Sequence, residues 1–298
     1  MALTRRELAA LSLSVLMPVR SAFAENIRQK ATSRLIALDW GVAETLIGLG
    51  HPPLGAAEIQ NYNRTVVAPA MPAAVVDIGL RLAPNPELMQ SLRPDLVLIN
   101  PAQKYMIPSL TAFGDVEIIA IYTDENDPYR LSCEAANNLA FRMGDPTAAV
   151  RLNALAETTM SEIRARLHNY DGRPIYAINF LDGRRLDVVG TTSLFQGVFE
   201  RLGLRNACRR PSNNWGIASL EVQDLADEPE ARVFYFGPLS EEAKRTISRS
   251  PLWLRLPFVR AERVMALPPI WTFGALPSAI RFARMLGDAL APSDMSNG

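Results

Sequence analysis

DPTAAVRLNALAETTMSEIRARLHNYD, from Asp145 to Asp171, is the stretch that decides how the rest of the chain is read. Asp145 suits a helix N-cap, and Pro146 falls at the first helical position, where a missing N–H costs nothing. Leu152, Ala156, Thr159, Ile163, Leu167 and Tyr170 recur at spacings of three and four, which is one stripe of a helix. Gly172 and Pro174 stop it. Twenty-five helical residues would reach roughly 37 Å, longer than most globular helices. An ordinary long surface helix would read the same way, so the flanks decide whether it is a strut between two lobes.

On the N-terminal side strands and helices alternate. Arg34–Leu38, Val75–Ile78, Asp95–Ile99 and Val116–Tyr122 read as strands, and Gly41–Leu49, Pro86–Leu92 and Leu110–Phe113 as helices. The C-terminal side repeats the pattern. Ile175–Phe180, Leu186–Val189 and Arg232–Tyr235 read as strands, and Ser193–Leu202, Leu220–Leu225, Glu241–Arg249 and Ser278–Leu290 as helices. Short local matches, such as Pro86–Leu92 against Leu220–Leu225, suggest an internal pseudo-repeat. The expectation is an α/β fold: two lobes with mainly parallel sheets and flanking helices, joined by a single long connecting helix. The lobes span residues 25–144 and 172–298, with 145–171 between them. A continuous helix resists hinge bending, which predicts a largely preformed cleft.

Residues 1–24 read as an export signal of twin-arginine type. Thr4-Arg5-Arg6-Glu7-Leu8 precedes an apolar run to Val19, and Ala22-Phe23-Ala24 fits a small-x-small cleavage site. General secretion would serve the same segment. Its removal takes away three arginines and one glutamate, leaving 28 basic and 30 acidic residues of the original 31 of each. That balance gives no basic excess for nucleic acid. Cys133 and Cys208 are too few for a disulfide framework, and one bridge would need them close in space.

Two lobes leave a cleft, where ligands usually bind. Loops at strand ends in the first lobe carry Arg81 and the run Asn100–Tyr105, with Gln103 and Tyr105; in the second they carry Ser212–Gly216, with Asn214 and Trp215, and Pro269–Gly274, with Trp271 and Phe273. Trp40 and Trp253 lie in apolar runs and read as core, whereas Trp215 and Trp271 lie on loops and are candidate ligand contacts. Catalysis finds little support. His51 and His168 stand near no nucleophile pattern, and Ser193 reads as a helix N-cap rather than the serine of a G-x-S-x-G elbow. An exported α/β hydrolase using Ser193 is nevertheless the alternative of another class.

The chain resembles the periplasmic ferric-hydroxamate siderophore-binding proteins (FhuD type), substrate-binding components of ABC importers whose lobes are joined by one long helix. The resemblance rests on Ile36–Trp40, Val76–Arg81, Ser193–Gln196, Asn214–Gly216, Pro251–Trp253 with Pro257–Arg260, and Trp271 with Phe273-Gly274. It implies a monomeric periplasmic protein, with no cofactor of its own, that binds a ferric siderophore and delivers it to an inner-membrane ABC permease with its ATPase. It also implies that Arg81 donates hydrogen bonds to the hydroxamate oxygens, and that Trp215 and Trp271 pack on the ligand. Another iron complex, haem or cobalamin, is the runner-up ligand. The chain departs from the family at Gln103, where a tyrosine is usual, at Thr65 near Tyr62, at Ile217, and at Phe273, which lacks a hydroxyl. Arg205, Arg209 and Arg210, if free, would favour an anionic complex. The family docks on its permease through one acidic residue per lobe, and Glu87 and Glu221 are the candidates.

Overall fold

A computed structural model describes residues 34–291. The proposed signal, residues 1–24, lies outside the described residues. In chain order the elements run β1 (Leu35–Ala37), α1 (Trp40–Gly48), β2 (Gly55–Ala56), α2 (Ile59–Thr65), β3 (Val76–Asp77), β4 (Gly79–Leu80), β5 (Ala83–Pro84), α3 (Pro86–Leu92) and β6 (Leu96–Ile99). A 3-10 helix, Pro101–Met106, leads into α4 (Ile107–Leu110), β7 (Asp115–Ile118), α5 (Pro128–Arg142) and α6 (Pro146–Arg166). Then follow β8 (Ile175–Phe180), β9 (Arg185–Val189), α7 (Leu194–Leu202), β10 (Ile217–Glu221), a second 3-10 helix (Val222–Asp227), β11 (Arg232–Phe236), α8 (Glu241–Arg249), α9 (Pro251–Arg255), α10 (Pro257–Arg260), β12 (Val264–Leu267) and α11 (Leu276–Leu290).

Two five-stranded sheets result, ordered β3-β2-β1-β6-β7 and β10-β9-β8-β11-β12. The first is parallel throughout. The second is parallel over β8, β11 and β12, with β9 and β10 antiparallel. β7 is an edge strand and shorter than the apolar run Val116–Tyr122 implies, because it has one neighbour to pair with.

α6 begins where Asp145 and Pro146 place it: the Asp145 carboxylate accepts the Ala148 N–H at 3.2 Å. It runs 21 residues and ends at Arg166, with Leu167 as cap, so it spans roughly 31 Å. Leu152, Ala156, Thr159, Ile163 and Leu167 are buried as the periodicity requires. The stripe faces α5, α7 and α11. Three apolar clusters hold the molecule. One covers the outer face of the first sheet, around Ile36, Met89 and Val97, and another the outer face of the second, around Tyr176, Leu225 and Phe258. The largest gathers α1, α5, α6, α7 and α11 with residues of both sheets, and Phe195 stacks on Phe282 at 4.1 Å within it.

Several local expectations are corrected. Leu220–Leu225 is the end of β10 followed by a 3-10 helix, not an α-helix, so it does not repeat α3. Five residues pairing with β9 hold this segment extended, and its own period is too short to resist. Over Leu110–Phe113 only Leu110 is helical: it is the last residue of α4, and Thr111–Phe113 are a turn. α5 and the β4–β5 hairpin have no counterpart in the sequence reading. Cys133 and Cys208 are both free thiols.

Candidate functional site

Arg81 and Leu82 are the two residues of the β4–β5 turn, whose register pairs Gly79 with Pro84 and Leu80 with Ala83. Gly79 holds φ +89, a conformation open to glycine. Both backbone polar groups of Arg81 are held. Its N–H donates to Glu58 Oε1 at 3.1 Å, and its carbonyl accepts Gln103 Nε2 at 3.1 Å. Its Nε donates to Glu58 Oε2 at 3.2 Å. The guanidinium carbon lies 4.1 Å from the centre of the Trp40 ring and 5.3 Å from that of Trp271. Two aromatic rings thus lie within cation–π reach of one guanidinium, an arrangement worth more as water is excluded. Among the described residues neither Nη donates a hydrogen bond, so both are available to a ligand.

Trp40 is set by the end of β1. Asp39 caps α1 by accepting the Val42 N–H at 3.0 Å, and its other oxygen accepts Asn100 Nδ2 at 2.8 Å. Burial raises the Asp39 carboxyl above its usual range, against the pull of the Asn100 and Val42 hydrogen bonds and the Arg81 charge. The Trp40 indole donates to Ala57 O at 3.0 Å, and Tyr62 meets its ring edge-on at 6.1 Å. Trp40 is therefore buried, as its apolar run predicts, and also forms the platform under Arg81.

The second side of the site is aromatic. Trp271 lies 4.9 Å from Trp40 and 5.1 Å from Phe273; Phe273 lies 5.5 Å from Trp215 and 6.4 Å from Tyr122; Trp215 lies 5.3 Å from Tyr122. Trp215 is aimed by its loop. Its N–H donates to Asn213 Oδ1 at 2.9 Å, and Gly216 follows at φ +74. A Cβ on Gly216 would stand 2.2 Å from Ser193 Cα, so only glycine lets the loop pass. Among the described residues Trp271 Nε1 has no hydrogen-bond partner, a buried donor close to Arg81.

The sequence-selected residues separate into those that gather and those that do not. Arg81, Trp215, Trp271 and Phe273 form one continuous surface. Gln103 is buried: its oxygen caps Asn100, and its nitrogen holds the Arg81 carbonyl. Tyr105, two residues on, is exposed, and Asn214 donates to Asp124 Oδ1 at 2.8 Å across the lobes. Glu87 is exposed on the first turn of α3, whereas Glu221 ends β10 and accepts from Arg184 at 2.9 Å. Arg205 donates to the Gly172 carbonyl, and Arg210 pairs with Asp227, so these two are committed elsewhere. Ser193 caps α7, accepting the Gln196 N–H and donating to Gly190 O, and among the described residues its side chain has no hydrogen bond to a histidine.

Glu58 and Tyr122 were not legible as site residues. Glu58 precedes a helix whose period is too short to read, and its contact with Arg81 spans 23 positions. Tyr122 closes an apolar run, and nothing local shows that its hydroxyl reaches Gly274 O at 2.8 Å. Glu44 was missed as well, a buried acid in the middle of α1. It accepts hydrogen bonds from Ala275 N–H, Ser278 N–H and Ser278 Oγ at the start of α11. Among the described residues no group of three His, Cys, Asp or Glu side chains gathers as a metal site.

Comparison with known proteins places this arrangement. A family model described as periplasmic binding protein matches residues 35–270. The iron(3+)-hydroxamate-binding protein FhuD of Escherichia coli (strain K12) is 30% identical over 295 residues, covering 96% of each chain. The crystal structure of the Fe3+-Desferal-bound siderophore-binding protein FhuD from Vibrio cholerae superposes with a TM-score of 0.81 at 30% identity, over 88% of this chain and 100% of that one. The triscatecholate siderophore-binding protein FeuA of Bacillus subtilis, complexed with ferri-bacillibactin, shares the fold at a TM-score of 0.70 and 15% identity, over 88% and 93%.

Proposed function

The chain belongs to the periplasmic binding protein family, and on that premise we propose that it captures a ferric siderophore of hydroxamate type between its lobes and hands it to an inner-membrane ABC permease. Members of this family bind substrates for transport rather than transform them, and they work outside the cytoplasm. The observation that carries the finer reading is Arg81: one guanidinium, set against Trp40 and Trp271, with both Nη groups unengaged among the described residues.

The chemistry follows from the ligand. In a ferric trihydroxamate six oxygens surround the metal and keep part of their negative charge. The iron is cargo and arrives fully coordinated, so the protein supplies no metal ligand. It needs a donor that fits paired oxygens, and the planar guanidinium offers two parallel N–H groups. It also needs flat apolar surface for the organic shell, which Trp215, Trp271 and Phe273 provide. The 30% identity to a hydroxamate-binding protein over nearly the whole chain supports the same reading. In the intact cell we place the protein in the periplasm as a monomer, with an ATPase driving the permease.

The test is a tryptophan-quenching titration of the mature protein with ferric trihydroxamates, a ferric tricatecholate, ferric citrate, haem and cobalamin. Trihydroxamates are expected to quench tightly. Arg81→Ala should weaken them by about a hundredfold, the cost of removing one partner of a desolvated charged hydrogen bond. Undiminished binding by Arg81→Ala, or binding of haem alone, would overturn the assignment.

A further inference from the structure

Arg81 does not hold itself. Glu58 grips it twice, at the backbone N–H and at Nε, and the ion pair is largely shielded, with 29% of the Arg81 and 16% of the Glu58 side chain exposed. Glu58 reaches this position through a left-handed backbone, φ +53 and ψ +47, which a glutamate adopts at a cost. It also stands at the N-cap position of α2 without capping it: Asp77 Oδ2, not Glu58, accepts the Ile59 N–H at 3.0 Å. A residue that bears backbone strain and leaves the nearby helix end to another side chain is held there for a different partner, and that partner is Arg81.

Occupying Nε has a geometric consequence. A guanidinium can present its Nε edge or its Nη edge to a pair of oxygens, and Glu58 takes the first. Only the Nη edge remains for a ligand, beside the two indole rings. There is an electrostatic consequence too. A lone arginine would leave one uncompensated cation in this wall, whereas the ion pair with Glu58 cancels that charge. The arginines of the second lobe do not restore the excess at Arg205 and Arg210, which are engaged with Gly172 and Asp227.

We propose that Glu58 is the positioning residue for Arg81, and that by cancelling its charge Glu58 biases the cleft towards ferric complexes without net negative charge. This rests on the reading of the cleft as a ferric-siderophore site. Like charges juxtaposed across an interface suppress the wrong partner more than they strengthen the right one, so the charge effect appears as selectivity.

The experiment has two arms. In quenching titrations with a neutral ferric trihydroxamate and a trianionic ferric tricatecholate, Glu58→Ala should weaken the trihydroxamate about tenfold, and Glu58→Gln, which keeps an oxygen for Nε, should recover most of that loss. Glu58→Gln should also raise the affinity ratio of tricatecholate to trihydroxamate by about tenfold. In an Arg81→Ala background, Glu58→Ala should cost the trihydroxamate nothing more. The second arm needs no ligand: proton–nitrogen correlation spectra should show an Arg81 Nε–H signal, absent in Arg81→Lys, that is slow to exchange and becomes fast in Glu58→Ala. Additive losses in the Arg81→Ala background, an unchanged affinity ratio, or an Nε–H signal indifferent to Glu58→Ala would each overturn the proposal. A wild-type protein that bound neither complex would sink the reading of function, while the Nε–H signal would still decide the positioning.

Discussion

Glu87 and Glu221 stand in unlike surroundings, and that difference makes the docking idea testable one residue at a time. Glu87 is exposed on the first turn of α3 and makes no ion pair among the described residues. Glu221 is half-buried; Arg184 and Gln223 both donate to its carboxylate, and these bonds hold its pKa below the usual carboxylate range. We propose both as contacts for permease arginines. A permease arginine would meet Glu87 unopposed but would compete with Arg184 for Glu221. Glu87→Arg should therefore reduce uptake of radio-iron more than Glu221→Arg, and the double variant should abolish it with quenching titrations unchanged. Uptake by the double variant at the wild-type rate would show that these glutamates do not dock. At this scale the sequence reading did well where a residue's role is local. The N-caps Asp145 and Ser193 were legible because a cap acts within three residues. Gln103 was not, because its role is fixed by Leu38 and Arg81, brought near it by the parallel pairing of β1 with β6 and by the β4–β5 turn. The aromatic patch was half legible: tryptophans on loops stand out, while Trp40 hid inside an apolar run.

Between elements, the junction of α1 with α11 carries the clearest pH dependence. Glu44 is fully buried, and desolvation raises its pKa from 4.5 to about 8, despite the hydrogen bonds it accepts from Ala275 and Ser278. Asp39, also buried, adds to the rise. Folded protein therefore keeps the Glu44 proton up to about pH 8, while the unfolded chain releases it near 4.5. Between those values the folded state binds more protons, so this group's contribution is fully present below pH 4.5 and declines until about pH 8. Glu44→Gln preserves an acceptor for the α11 N–H groups without an ionisable proton. Its Tm should match the wild type near pH 5 and exceed it by several degrees at pH 8.5, read from melting curves across pH. Parallel curves for the two proteins would place the titration elsewhere. The same scale shows where periodicity stops being informative. Pro86–Leu92 and Glu241–Arg249 are helices to the residue, since each has a cap residue, Asn85 or Ser240, and a clear end. α5 was missed because Asn137, Asn138, Ser132 and Cys133 dilute its apolar stripe; packing on α6 and α7 supplies what propensity does not.

Across the whole molecule, the largest apolar cluster is common to both lobes, which bears on how far they can move. α6 packs along its length on α5, α7 and α11, and α11 returns from the second sheet to α1 of the first. Polar ties reinforce that return: Tyr122 donates to Gly274 O, Glu44 receives Ala275 and Ser278, and Arg281 donates to Val66 O and to Pro269 O at 2.6 Å. A hinge that opened the cleft widely would have to shear this core and break the hydrogen bonds that Glu44 accepts from Ala275 and Ser278 at the start of α11. Rotation is resisted further by Gly197, which sits so close to Tyr129 that a Cβ there would fall 2.6 Å from the tyrosine Cβ; α5 and α7 are in contact with no slack between them. The backbone should therefore change by about 1 Å or less on loading, as in other preorganised complexes. X-ray scattering curves of free and ferric-trihydroxamate-loaded protein should superimpose, and Tyr122→Phe, which removes one tie and leaves the core, should keep them superimposed. A clear compaction on loading would mean that the shared core divides between α11 and α1, and that the cleft closes by a hinge the packing of α6 does not restrain.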